Sequence, residues 1–127
     1  QMCIQDYNMN EQFRTDLAHT FGITLEEQTN ALSFHDHDGH EWILECAPQS
    51  EVLFFYCYLF NNESSKIDKI LEINSNRDLL GMFFLSLKED SVLLNIAFPA
   101  DKVNITEFIN LMENGYLLKN EVISLLS

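Results

Sequence analysis

The densest run of chemistry-bearing residues lies between positions 35 and 40, where His35, Asp36, His37, Asp38 and His40 crowd together. Imidazole and carboxylate are the donor types that suit Zn²⁺ and related ions. A metal site needs those donors to converge, however. His35 and His37 would share a face of a strand, but Asp36-His37-Asp38-Gly39 is a turn signal, because Asp-Gly suits positive φ. No distant Cys or His pair completes the set, apart from His19. The expectation is a solvated turn with no metal, and a metal-responsive protein built on His35, His37 and His40 is the minor alternative. The Asp-x-Asp-Gly fragment also suggests a calcium loop. Counted from Phe34, its twelfth position is Glu45, inside an apolar run, so the EF-hand pattern fails.

The other reactive side chains lead no further. Cys3, Cys46 and Cys57 are odd in number, irregularly spaced and without a CxxC, which is no disulfide framework. Cys46 and Cys57 sit in apolar, strand-like runs, where a free thiol behaves as a small hydrophobe. A reducing cytoplasm is the expected compartment. A Cys–His nucleophile needs an accessible thiolate, whereas Cys57 is flanked by Tyr56 and Tyr58. No GxSxG, P-loop or GxGxxG occurs, and the acidic residues form no obvious dyad. The chain is expected to be a non-enzyme without a cofactor.

Composition sets the partners. The 127 residues are 46% hydrophobic and 21% charged, a globular balance that predicts one domain over 1–127, with its core from about 10 to 126. Seven basic residues against 20 acidic ones give a net charge of −13. That argues against nucleic acid and against an anionic membrane surface, while it favours solubility and the steering of a basic partner. The longest apolar run, from Val52 to Phe60, falls short of the ~20 residues that span a bilayer. No basic segment followed by an apolar stretch marks a signal peptide.

The elements that must position these residues read in the order αβββαββα. Asn10 is a candidate cap for a helix to Phe21, with Phe13, Leu17 and Phe21 on one stripe and Gly22 as its stop. Strands are expected over 31–35, 41–47 and 51–60. A second helix starts near Ser65, with Asp68 in an approximate capping box. Asn76-Arg77-Asp78 reads as a polar break before strands over 80–87 and 91–98, joined at Lys88-Glu89-Asp90. Asn104 and Glu107 form a capping box for a last helix running to the C-terminus, which Gly115 is expected to kink. This is an α+β domain, with helices on one face of a twisted, antiparallel five-stranded sheet.

Several of the strands are apolar on both faces. Phe54, Tyr56 and Tyr58 point one way while Leu53, Phe55 and Cys57 point the other. Three helices are expected to cover one face, so the second calls for a further subunit or a bound polypeptide, the alternative being a helix wrapped over the far side or strands curled into a partly closed barrel. Each large side chain left bare forgoes ~1.5–3 kcal/mol.

Element order, size, acidity and the two-faced sheet together resemble the class I type III secretion chaperones, the Tir-chaperone-like family. Phe21-Gly22-Ile23 is similar to the family's end of helix one. Ile70-Leu71-Glu72-Ile73-Asn74 resembles its helix-two stretch ending in Asn, and Leu80 to Leu87 its following strand. The resemblance implies a cytoplasmic homodimer, without cofactor, that holds the N-terminal region of a secreted effector unfolded and export-competent. It implies a dimer contact at Ile67, Ile70, Leu71, Met82 and Phe84. It further implies that the effector lies along helix one and the first three strands, at Phe13, Leu32, Phe34, Trp42, Phe54 and Tyr56, partly as an added strand. The alternative is a non-catalytic regulatory or adaptor domain of the same architecture that binds a folded partner.

Overall fold

The computed structural model describes residues 11–25, 30–46, 51–61 and 66–127. Helix α1 (Glu11–Phe21) buries Phe13 and Leu17. It ends at Gly22, φ 63°, and the Ile23 N–H reaches back to the Ala18 carbonyl at 3.0 Å. That bond satisfies an otherwise orphaned helix carbonyl, and the left-handed turn it needs is why glycine stands there. The candidate cap Asn10 lies outside the described residues.

Strands β1 (Ala31–His35), β2 (Glu41–Cys46) and β3 (Val52–Asn61) follow, then helices α2 (Ile67–Asn74) and α3 (Arg77–Leu80). Strands β4 (Phe84–Lys88) and β5 (Ser91–Pro99) precede the long helix α4 (Ile105–Leu126). The sheet order is β1-β2-β3-β5-β4, antiparallel throughout. The α+β class and the expected order hold, with α3 as an added single turn.

One row across the sheet shows how register builds the core. Phe34, Trp42, Cys57, Leu94 and Leu85 are successive cross-strand partners, and all five are buried. Helices α1 and α4 pack on this inner face. Phe108 of α4 meets Phe13 edge-on at 5.7 Å and Phe55 at 5.2 Å, and Trp42 stacks on Phe55 at 4.9 Å. Inward-facing aromatic rings from both layers thus form one cluster.

Four local expectations need correction. The run 80–87 is not all strand, because Asn76 accepts a hydrogen bond from the Leu79 N–H at 3.1 Å and starts α3. Asn76-Arg77-Asp78 is therefore a helix start rather than a break. Gly81, φ 61°, then reverses the chain, so β4 begins only at Phe84. Helix α2 starts at Ile67 with Lys66 as its cap residue and no side-chain cap bond; Ser65 lies outside the described residues. Helix α4 runs unbroken through Gly115. A β-carbon there would stand 3.0 Å from Trp42 and 3.2 Å from Phe83, so the glycine admits close packing of helix on sheet. Asn104 does cap α4 as expected, accepting from the Glu107 N–H at 2.9 Å.

Candidate binding surface

The β1–β2 turn holds a buried charge network. Lys119 of α4 places its Nζ 2.5 Å from Asp36 Oδ2, 3.2 Å from Asp38 Oδ2 and 2.7 Å from His40 Nδ1. Asp36 Oδ2 also accepts from Trp42 Nε1 at 3.0 Å, and its Oδ1 accepts from the Asp38 and His40 N–H groups. An ammonium can only donate, so His40 Nδ1 is the acceptor and the ring proton lies on Nε2. Burial pushes the Asp36 carboxyl up, but Lys119, Trp42 and the His40 N–H together outweigh it and hold it at about 2.

This geometry corrects the grouping of His35, His37 and His40. His35 and His37 are exposed, and only His40 joins Asp36 and Asp38. A cation at those three side chains would have to displace the Lys119 ammonium. The network fixes the hairpin to α4. It was missed because Lys119 resembles any surface lysine, yet Met112, Gly115, Lys119 and Val122 fall on one buried stripe. A lone lysine on that stripe was the available signal.

The two edges of the sheet differ. At the β4 edge, the Asn74 side chain accepts from the Leu85 N–H at 2.8 Å and donates to its carbonyl at 3.2 Å. A carboxamide thereby occupies the place of a neighbouring strand. At the β1 edge, two bonds bracket the hairpin: Cys46 N–H to the Asn30 carbonyl at 2.8 Å and Asp36 N–H to the His40 carbonyl at 3.0 Å. Bonded and non-bonded pairs alternate in an antiparallel ladder. Leu32 and Phe34 therefore bond to β2, and the backbone groups of Ala31, Ser33 and His35 point outward. All three residues are exposed, and no strand among the described residues bonds to their outward backbone groups.

The outer face is mixed. Phe54 is 37% exposed and Tyr58 42%, but Tyr56 and Leu93 are buried among their neighbours. The two-faced reading of the sheet was thus too strong. The Tyr56 hydroxyl donates to Glu45 at 2.7 Å, and burial together with that carboxylate raises its pKa above the ordinary range. Ser33 Oγ donates to Glu41 Oε2 at 2.6 Å. On the inner side, burial pushes the Cys57 thiol up to about 12, so it holds no thiolate at neutral pH.

Of the residues expected to touch a partner, Phe13 and Trp42 are enclosed by the chain itself and Phe34 nearly so. As placed they support the surface rather than form it. Leu32 is half-buried beside the β1 edge, Phe54 lies on the outer face, and Tyr56 is buried beneath it. In the expected dimer contact, Ile70 is a core residue, Ile67 and Phe84 are half-buried, and Leu71 and Met82 are 59% and 76% exposed. Met82 projects beside a groove of about 390 Å³ between α3 and α4, where Leu117 is also exposed. The sequence reading missed Leu117.

The architecture defines a class: this is the α+β fold of the type III secretion chaperones. In particular, a chain of the ExsC–ExsE complex matches with a TM-score of 0.70 over 93% of this chain and 97% of its own, at 14% identity. A chain of the heterodimeric ExoU–SpcU complex, from the type III secretion system of Pseudomonas aeruginosa, gives 0.70 over 89% and 96%, at 18% identity. A chain of the HopA1–SchA chaperone–effector complex gives 0.64 over 86% and 85%, at 14% identity. At such identities the likeness is one of fold. No family model and no curated protein sequence matches the chain. No described helix is long and apolar enough to cross a membrane.

Proposed function

We propose that this chain is a cytoplasmic type III secretion chaperone that binds the N-terminal region of a secreted effector and keeps it extended for export. The observation that carries the reading is the asymmetry of the sheet edges. At the β4 edge Asn74 takes up both outward backbone groups of Leu85, whereas β1 offers those of Ala31, Ser33 and His35. The effector segment adds as a sixth strand beside β1, with backbone bonds supplying affinity and alternate side chains supplying choice. Likeness of fold to a chain of a chaperone–effector complex supports the same reading. No catalytic step is included, in keeping with the protonated Cys57 thiol.

The chaperone acts as a homodimer. The exposed Leu71 and Met82, with the half-buried Phe84, form the contact, and Leu117, which lines the same groove as Met82, extends it. Ile70 supports this patch from within the core.

Ser33→Pro tests strand addition. Proline removes the outward N–H without touching the β1–β2 ladder. In binding assays with N-terminal effector segments from the native host, the variant is expected to keep its fold and lose at least about tenfold in affinity, equivalent to one or two backbone bonds. Unchanged affinity would place the segment elsewhere.

A further inference from the structure

The β1 edge also specifies the chemistry of what it takes up. We infer that its occupant is an extended segment that alternates large apolar with basic residues, the basic ones read by Glu41 and Glu45. This rests on the strand-addition reading above.

A strand that bonds to Ala31, Ser33 and His35 must alternate between the two faces. Its side chains opposite Leu32 and Phe34 fall on the inner face. There the half-buried Leu32, Phe21 and Leu25 border the core, and Phe21 stacks edge-on against Phe34 at 4.9 Å. Apolar side chains suit these positions. The intervening side chains fall on the outer face, over Ala31 and Ser33, the smallest side chains of β1. On β2, Glu45 stands directly opposite Ala31 and Ile43 opposite Ser33, while Glu41, opposite His35, extends its carboxylate to the Ser33 hydroxyl.

Each glutamate has one oxygen committed and, among the described residues, no hydrogen bond to the other. Glu45 Oε1 takes the Tyr56 hydroxyl and Glu41 Oε2 takes the Ser33 hydroxyl. The described outer-face residues of β1, β2 and β3 include no lysine or arginine that would neutralise them. From the added strand to β2 is two strand spacings, about 10 Å, which a Lys or Arg stem and a Glu side chain span together. The small residues of β1 leave that lane open, and the net charge of −13 adds attraction at long range.

The test titrates two synthetic peptides, acetyl-Val-Lys-Val-Lys-Val-Lys-Val-amide and its Glu-for-Lys counterpart, into the ¹⁵N-labelled full chain. The Lys peptide is expected to shift amides over residues 30–36 and to bind at least about tenfold more tightly than the Glu peptide. Raising salt to about 0.5 M should shrink the difference. Glu41→Gln with Glu45→Gln should lower affinity for the Lys peptide alone. If both peptides shift residues 30–36 equally, the charge reading is overturned and strand addition stands. If neither peptide shifts these residues, both readings fall.

Discussion

Asp36 has four donors on two oxygens, and one of them is a buried ammonium from the far end of the chain. Removing one member of a buried ion pair strands the other, at a cost of about 3–5 kcal/mol. Asp36→Asn is expected in that range by urea unfolding. Lys119→Met should cost less, because Asp36 keeps the Trp42 N–H and two backbone donors. The pH dependence has a definite sign. The folded-state value of about 2 lies below the ordinary 3.8, so the stabilisation is fully present above pH 4 and is lost as pH falls through 2. The gap in stability between wild type and Asp36→Asn should narrow by on the order of 2 kcal/mol between pH 4 and pH 2. A constant gap would remove Asp36 from this role. The sequence showed the acidic turn but not its partner, because Lys119 lies far along the chain and only the fold brings the two together.

Periodicity alone located the helical stripes and the β1, β2, β3 and β5 strands, because residues such as Leu53, Phe55 and Cys57 alternate with clear burial. It failed at α3, where Asn76 looks the same as a loop residue or as a helix cap. It failed again at Gly115, where helix propensity predicts weakness but the structure uses the missing side chain. Gly115→Val is expected to destabilise by about 2–3 kcal/mol in thermal or urea unfolding, since a side chain there must displace Trp42 or Phe83. A neutral result would mean that α4 shifts away from the sheet at little cost. The edges were legible only in part. A strand addition could be expected, but which edge is free depends on Asn74 reaching Leu85, eleven residues on.

For the whole molecule, fold class and element order were readable because composition and turn residues agree with the packing. The binding surface was less so, because Phe13 and Trp42 look alike whether they form the core or face a partner. Two copies joined at Leu71 and Met82 should sediment at twice the 14.8 kDa chain mass. Leu71→Asp with Met82→Asp should give monomers, since an unpaired carboxylate in an apolar contact is costly. A monomeric wild type at micromolar concentration would remove the dimer. The central claim is strand addition at β1, and amide hydrogen exchange in the complex with an effector segment tests it most directly. Exchange at Ala31, Ser33 and His35 should slow by at least about tenfold on binding, because each outward amide gains a backbone acceptor. Unchanged exchange at these three amides, in a complex that nevertheless forms, would contradict it.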